Sequence, residues 1–239
     1  MFKTGTEKNV IGILGGMGAL SSAEFLKTIY EHSSRRFERE QEAPIVALYS
    51  DPTFPDRTET FLGGRHELVL SRLVEALRRL CEMGASRIVI CCMTMHYLLP
   101  ELSVEMRGRV LSLPNVIIDR IARSEKKHLL LCSTGTQQLR LFQNHARWAT
   151  VAEQFVFLNP AEQARLHELI YEIKMGRCLP QTLRFAESLL DKYGLDSYIV
   201  GCSEIHILAR HSEASHDHRG HYGCVDPFTI IAQKITEES

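Results

Sequence analysis

Two cysteines follow apolar segments in the two halves of this sequence, and their placement makes them candidates for proton transfer. The first segment runs Ile88-Val89-Ile90 into Cys91-Cys92, and the second runs Tyr198-Ile199-Val200-Gly201 into Cys202. Apolar runs rich in β-branched residues are typical of strands buried on both faces. Cys91 or Cys92, and likewise Cys202, are therefore expected at the carboxyl end of a strand, where open α/β sheets bind their ligands.

Two thiols that face each other across a cleft can invert a carbon centre. One, as thiolate, removes a proton from carbon, and the other, as thiol, returns a proton to the opposite face. A free thiol has a pKa of roughly 8.5, close enough to neutrality to act as acid or base. Helix N-termini directly after Cys92 and Cys202 would favour the thiolate. His96, Glu204 and His206 lie within four residues of these cysteines and can tune them or simply pack.

The substrate of such a reaction is a weak carbon acid, so the site must also hold a carboxylate and stabilise developing charge. Arg57 lies in a loop with two prolines, residues 50–58, and Lys174 lies near the end of a predicted helix. Arg57 can clamp a carboxylate through two hydrogen bonds or pair with Asp56 at the surface. Lys174 can bind an anion or complement the dipole of its helix.

Two turns of small residues offer further anion-binding groups. Gly15-Gly16-Met17-Gly18 follows a predicted strand at 10–14, and Ser133-Thr134-Gly135-Thr136 follows one at 127–132. Such a turn can present backbone N–H groups to a carboxylate, or it can only complete a tight connection or cap a helix. The first turn lacks both the G-x-G-x-x-G pattern and a Gly-Lys-Ser/Thr sequence, so a nucleotide cofactor is not indicated.

Strands alternate with helices along the whole chain, which predicts an α/β fold with mainly parallel sheets. Further strands are predicted at 44–49, 87–91, 154–158 and 197–202, and helices at 21–37, 65–83, 160–176, 179–193 and 204–210. The apolar stripe of the second helix is expected to comprise Leu68, Leu73, Leu77 and Leu80. Pro114-Asn115 marks a crossing point between halves. The order of strand, small-residue turn, helix and later cysteine-ending strand occurs twice, without strict periodicity.

The composition excludes several classes of protein. The 239 residues are 44% hydrophobic and 24% charged with a net charge of −1, so no nucleic-acid or membrane-surface partner is indicated. No apolar run is long enough to cross a membrane and the N-terminus is not a signal peptide, so we expect a cytoplasmic protein. The histidine-rich segment 211–221 matches no standard ligand spacing, which favours a mobile loop over a metal site. The other cysteines are interpreted as structural thiols: Cys81, Cys91, Cys132, Cys178 and Cys224.

Five stretches together resemble the cofactor-independent aspartate/glutamate racemase family. Ile11-Gly12-Ile13-Leu14-Gly15-Gly16-Met17-Gly18 is similar to the opening turn of the family. Cys92-Met93-Thr94-Met95-His96 resembles its Cys-Asn-Thr-x-His motif, and Gly201-Cys202-Ser203-Glu204 resembles Gly-Cys-Thr-Glu. Pro55-Asp56-Arg57-Thr58 and Ile173-Lys174-Met175-Gly176 are similar to motifs of the aspartate branch.

The resemblance implies two similar three-layer α/β domains, related by a pseudo-twofold axis, with the active site in the cleft between them. Residues 1–113 and 209–239 would form one domain, to which the last helix returns, and residues 114–208 the other. Family members use neither pyridoxal phosphate nor metal and are commonly dimers, so we expect no cofactor, no metal and a homodimer.

The resemblance also implies roles for individual residues. Cys92 and Cys202 would be the paired bases, and Arg57 and Lys174 would bind the side-chain carboxylate of aspartate or a similar dicarboxylic amino acid. The α-carboxylate or amino group would meet Gly16, Met17, Gly18, Thr94, Thr134, Thr136 and Ser203.

Met93 stands where the family has Asn. Because Met cannot usefully donate or accept a hydrogen bond, the loss of that substrate contact would cost about 1–3 kcal/mol. This departure bears on the rate, the substrate or the activity itself.

Aspartate racemisation is the first hypothesis. Racemisation of glutamate or of acidic amino acids more broadly, or a maleate-type isomerisation, would use the same fold. Decarboxylase relatives lack one of the two cysteines, so the presence of both argues against that reaction. A non-catalytic protein that binds a small carboxylate is the hypothesis from another class.

Overall fold

The computed structural model describes residues 10–214 and 222–238 and contains two parallel β-sheets. The first sheet has the order β2-β1-β3, with β1 at Val10–Gly15, β2 at Ile45–Ser50 and β3 at Ala85–Ile90. The second has the order β5-β4-β6-β7, with β4 at His128–Cys132, β5 at Phe155–Val156, β6 at Ser197–Gly201 and β7 at Gly223–Val225.

The two sheets repeat one arrangement. In each half the first strand is central, the second lies on one side and the third on the other, so β1, β2 and β3 correspond to β4, β5 and β6. Parallel neighbours of this kind need helical crossover connections. The predicted α/β fold class with parallel sheets is therefore confirmed, and the point at which each third strand ends is equivalent in the two halves.

Helices connect the strands and cover the sheets. In the first half these are α1 (Ala19–Arg36), α2 (Arg57–Leu62), α3 (His66–Glu82), α4 (Val104–Arg109) and α5 (Leu113–Ile121). They continue with α6 (Thr134–Gln138), α7 (Pro160–Lys174), α8 (Leu179–Tyr193), α9 (Ser203–Ala214) and α10 (Pro227–Glu238). Short 3-10 helices lie at Glu40–Glu42, Thr94–Glu101, Trp148–Thr150 and Ala152–Gln154.

Two local predictions were wrong. Leu68 is 60% exposed, because the continuous buried face of α3 is instead made by Val69, Leu73, Ala76, Leu77 and Leu80. The segment after Cys92 is a 3-10 helix with Pro100 inside it, not the start of an α-helix. A proline has no N–H to continue the i→i+4 ladder, so the tighter and shorter form results.

The expected crossing point is a helix. Ser112 caps α5 through a hydrogen bond from the Asn115 N–H, and Pro114 occupies the first turn, where its missing N–H costs nothing. The C-terminal α10 packs against α1 and α5. Of the histidine-rich segment, His211 belongs to α9, and residues 215–221 lie outside the described part of the chain.

The two halves share a hydrophobic core. One cluster of buried side chains extends from Ile13 and Val89 in the first sheet to Leu130 and Val200 in the second. A second cluster, including Leu77 and Ile90, covers the other face of the first sheet. None of the helices within the described ranges is long and apolar enough to cross a membrane.

Candidate active site

Cys92 and Cys202 occupy equivalent positions at the carboxyl ends of β3 and β6. The Cys91 N–H still donates to the Leu14 carbonyl across the first sheet (2.8 Å), so the Cys92 side chain lies just past the last strand hydrogen bond. Cys202 lies between β6 and α9. Both thiols are buried, with 6% and 8% of each residue exposed. Strand order therefore brings both cysteines to the sheet edge at which parallel sheets hold ligands.

Cys202 is paired with a buried carboxylate. Its Sγ donates to Glu204 Oε2 (2.9 Å), and the Ser203 hydroxyl donates to the same oxygen (3.2 Å). Burial raises the pKa of the Cys202 thiol well above its usual range, and the charge of Glu204 raises it further. Glu204 Oε1 is buried and has no hydrogen-bond partner among the described residues. Cys202 is thus held as a thiol beside a proton acceptor.

The glycine turn after β1 lies against this carboxylate. A Cβ on Gly18 would lie 2.2 Å from Glu204 Oε1, so any larger residue there would displace the carboxylate from its present position. Gly16 has a φ of +90°, and a Cβ there would lie 2.3 Å from the carbonyl carbon of Asp51. The first glycine motif and the second cysteine motif, far apart in sequence, are therefore in contact.

Arg57 links the loop after β2 to the same turn. Its Nη2 donates to the Met17 carbonyl (2.8 Å), and its Nη1 donates to the carbonyls of Pro55 (2.8 Å) and Phe54 (3.4 Å). Burial lowers the pKa of the guanidinium, but the neighbouring Cys92 and Asp56 side chains reverse this, and the net shift is upward. A buried cation therefore lies next to Cys92, and its Nε has no partner in the described structure.

Three hydroxyls form a cluster between the halves. Thr94 Oγ1 lies 3.0 Å from Thr136 Oγ1 and 3.2 Å from Ser133 Oγ, and the latter two are 3.1 Å apart. Thr94 follows Cys92 by two residues, whereas Ser133 and Thr136 belong to the turn after β4. Each hydroxyl can both donate and accept, so the cluster can bind a carboxylate or an amine. The Thr134 N–H is already used, since it donates to His167 Nδ1 (3.3 Å).

A polar face of α7 was not predicted. Gln163, His167, Tyr171 and Lys174 share one side of this helix, beside its buried apolar stripe. Gln163 Nε2 donates to the Cys132 carbonyl (2.8 Å), the Tyr171 hydroxyl donates to the Asp56 carboxylate, and Lys174 Nζ lies 4.0 Å from the centroid of the Tyr171 ring. The i, i+4, i+8, i+11 spacing of polar residues was the available signal.

His96 holds the chain that follows Cys92. The Leu113 N–H donates to His96 Nε2 (3.2 Å), so Nδ1 carries the proton and donates it to the Cys92 carbonyl (3.0 Å). Burial lowers the pKa of His96 to about 4. A neutral imidazole with both nitrogens hydrogen-bonded therefore connects Cys92 to α5. This geometry favours a packing role for His96 over one in proton transfer.

His206 and Met93 are both buried in the interior. His206 Nδ1 lies 2.6 Å from Asp226 Oδ2, and its Nε2 lies 3.1 Å from Thr28 Oγ1, so it joins α9 to α1 and to the start of α10. Met93 is 1% exposed and belongs to the shared apolar core. Of the three groups expected to tune the cysteines, only Glu204 hydrogen-bonds to a thiol.

The sequence model of the Asp/Glu/hydantoin racemases matches residues 14–235, a range that includes both cysteines. The chain belongs to this family. It is 21% identical over 211 residues to the broad-specificity amino-acid racemase RacX of Bacillus subtilis. This alignment covers 86% of this chain and 89% of RacX. Family membership confirms the predicted resemblance and classes the protein among the isomerases.

Solved structures of family racemases share the fold. The aspartate racemase of Picrophilus torridus superposes with a TM-score of 0.78 at 18% identity, over 96% of this chain and 94% of that one. A glutamate racemase of Francisella tularensis, solved in complex with D-glutamate, superposes with a TM-score of 0.61 at 13% identity. This superposition covers 98% of this chain and 80% of that one. Because racemases with different named substrates share this fold, the fold alone does not select the substrate.

Proposed function

We propose that this racemase interconverts L- and D-aspartate without a cofactor, with Cys92 and Cys202 as the two acid–base groups. The observation that carries the proposal is their equivalent position after β3 and β6, combined with different partners. Cys92 lies beside the guanidinium of Arg57, and Cys202 donates to Glu204. Burial beside a carboxylate favours the thiol form of Cys202. Cys202 is therefore assigned as the acid of the resting pair, and Cys92 as the base.

In the proposed reaction the Cys92 thiolate removes the α-proton, and the C–H electron pair stays on the α-carbon. Cys202 donates its thiol proton to the opposite face of that carbon, which gives the mirror-image amino acid. Turnover leaves Cys92 as thiol and Cys202 as thiolate. This is the protonation state that the reverse reaction requires. The resting state returns when Cys92 releases its proton to solvent and Cys202 takes one up from solvent, with the adjacent Glu204 carboxylate as the relay.

Substrate groups are assigned to the surrounding contacts. The distal carboxylate binds the unpartnered Nε of Arg57 and the Lys174 ammonium. The α-carboxylate and amino group bind the hydroxyls of Thr94 and Thr136, with the Gly16-Met17-Gly18 turn, Thr134 and Ser203 at the border. Met93 is packed in the apolar core, so no hydrogen bond to the substrate is assigned to it.

A broader substrate range is the second candidate. The motifs around Arg57 and Lys174 resemble the aspartate branch, whereas RacX is named for broad specificity. Glutamate and other acidic amino acids are therefore the substrates to compare with aspartate. We also propose that the protein works in the cytoplasm as a homodimer, a state that sedimentation velocity measures directly.

The test is the exchange of the α-hydrogen in deuterated water. L-aspartate and L-glutamate are incubated without added cofactor with the wild type, Cys92→Ala, Cys202→Ala and the control Cys81→Ala, and then separated by chiral chromatography. We expect deuterated D-aspartate from the wild type and from Cys81→Ala, and none from the other two variants. Racemisation that survives the loss of either proposed base would refute the two-base mechanism, and no exchange at all would favour a carboxylate-binding protein.

A further inference from the structure

A contact between the two halves lies beside the cations proposed to bind the distal carboxylate. The Tyr171 hydroxyl on α7 donates to Asp56 Oδ2. Asp56 directly precedes Arg57, and its other oxygen caps α2 by accepting from the Glu59 N–H (3.0 Å). The position of Asp56 is therefore fixed by the start of α2, and Tyr171 connects that start to the opposite side of the cleft.

Tyr171 also contacts the second cation. Lys174 Nζ lies 4.0 Å from the centroid of the Tyr171 ring, a distance at which an ammonium is attracted to the face of an aromatic ring. Without such a contact, the flexible stem of a lysine samples many rotamers. The Tyr171 side chain therefore contacts both cation-bearing segments. Its hydroxyl binds Asp56, the residue before Arg57, and its ring contacts Lys174.

The charges in this group are complementary. Burial raises the pKa of Asp56, but the hydrogen bonds from Tyr171 and Glu59 and the charges of Lys174 and Arg57 outweigh it and lower the pKa overall. Burial and the Asp56 charge raise the pKa of Tyr171, so its hydroxyl keeps the proton that it donates. The contact is a charge-assisted hydrogen bond between a tyrosine and an ionised carboxylate, which is stronger than a neutral one.

We propose that the Asp56–Tyr171 pair is a positioning device that fixes the distance between Arg57 and Lys174 across the cleft and so selects the length of the dicarboxylic substrate. The inference rests on the proposed function, because it assumes that these two cations receive the distal carboxylate. With the pair intact, the two cations meet at the distal carboxylate of a four-carbon substrate. With the pair broken, Tyr171 and Lys174 can move together with α7 away from Arg57, and a five-carbon substrate is accepted at the expense of the shorter one.

The chain offers variants that separate the contacts. Tyr171→Phe keeps the ring under Lys174 and removes the hydroxyl. Asp56→Ser keeps a good N-cap for α2 but is too short to reach Tyr171. Tyr193→Phe is the matched control, because the Tyr193 hydroxyl donates to Glu162 (2.6 Å) in a similar contact that joins α7 to α8 away from both cations.

The expected result is a change in KM and in substrate choice. For Tyr171→Phe and Asp56→Ser we expect the KM for L-aspartate to rise about tenfold, the effect of losing one charge-assisted hydrogen bond, with kcat within about twofold. The ratio of kcat/KM for glutamate over aspartate should rise by a similar factor. The double variant should add little to either single one, because both remove the same contact. Tyr193→Phe should match the wild type.

A second readout does not depend on catalysis. Calorimetric titration with succinate and glutarate compares four- and five-carbon dicarboxylates on the same proteins. The wild type and Tyr193→Phe should prefer succinate, and Tyr171→Phe should lose that preference at an unchanged melting temperature. Equal weakening for both ligands with a lower melting temperature would show a merely structural contact and overturn the inference, as would an unchanged preference.

Absence of α-hydrogen exchange in the wild type would refute the proposed function alone, and the preference between the two dicarboxylates would still decide this inference.

Discussion

At the scale of single residues, Cys92 and Cys202 differ although they occupy equivalent positions. Arg57 reaches Cys92 from the start of α2, whereas Glu204 reaches Cys202 from within its own motif. The second half has a carboxylate where the first has a guanidinium. The two thiols therefore have different nearest charged groups, although the Lys174 charge partly offsets that of Glu204 at Cys202. This difference can be measured one thiol at a time.

Replacing Glu204 by Gln should make Cys202 easier to ionise. Burial is the larger cause of its raised pKa and remains, but the carboxylate that raises it further is removed. We therefore expect the pH midpoint of Cys202 alkylation, followed by peptide mass spectrometry in a Cys92→Ser background, to fall. Cys132 is fully buried and its raised pKa has burial as its cause, so its alkylation should not change. An unchanged or higher midpoint at Cys202 would contradict the assigned role of Glu204.

Replacing Met93 by Asn, the residue common in the family, should destabilise this protein. Met93 is packed in the apolar core, so a buried amide without partners would cost about 1–3 kcal/mol in free energy of unfolding. Met93→Leu conserves volume and should cost less than about 1.5 kcal/mol. Urea unfolding of the two variants compares them directly. Equal stability would mean that position 93 has polar partners, and that the site tolerates the family's Asn.

At the scale of the elements, short turns decide how closely the two halves approach. The turn at the start of α6 meets α2 at Gly135, where a Cβ would lie 2.7 Å from Thr58 Oγ1 and 3.1 Å from Thr58 Cα. Thr58 follows Arg57, and Thr136 in the same turn touches Thr94. The close approach at this glycine therefore positions the hydroxyl cluster and the arginine together.

Replacing Gly135 by Ala should lower both stability and activity. The added methyl group meets backbone as well as side-chain atoms of Thr58, so α2 and α6 must move apart, and overpacking of this kind typically costs about 1–3 kcal/mol. The control is Gly108→Ala in α4, where the structure places nothing within 4 Å of the new Cβ. That change should be neutral or stabilising by up to about 1 kcal/mol. Melting temperatures and α-hydrogen exchange check both, and equal behaviour of the two variants would refute the close approach.

At the scale of the whole molecule, the halves are joined by buried polar contacts as well as by a shared core. His206 joins α9 of the second half to α1 of the first and to the start of α10, and His96 joins the end of the first sheet to α5, the helix that leads into the second half. Each of these histidines follows one of the two cysteines by four residues. The relative position of the two halves, and with it the geometry of the cleft, depends on them.

Acid should weaken this connection through His96. Its pKa is about 4 in the folded chain against an ordinary value of 6.5, so the unfolded chain binds the extra proton between these values. The contribution to stability is complete above pH 6.5 and is lost as the pH falls to about 4, a change of about 3 kcal/mol. Chemical unfolding at a series of pH values measures it. His96→Asn should be less stable at pH 7 and lose this part of the pH dependence, and a variant with the wild-type slope would contradict the assignment.

Sequence patterns alone determined the parallel α/β class, the strands that carry the cysteines and the family, because alternation of buried strands and helices is a local property of the chain. They also indicated Cys92, Cys202, Arg57 and Lys174 as candidates, whose roles stay predictions. Local patterns missed the exposed side of α3 at Leu68, the 3-10 helix after Cys92 and the polar face of α7.

Only the tertiary structure decided which groups meet. Gly18 against Glu204, Arg57 against Met17, Thr94 against Thr136 and Tyr171 against Asp56 are contacts between residues distant in sequence. Which residues come into contact depends on how two sheets with the same strand order pack on one shared core. The periodicity of the sequence contains no information about this packing. The charge of each thiol's neighbour, on which the proposed chemistry depends, therefore follows from packing and not from the motifs themselves.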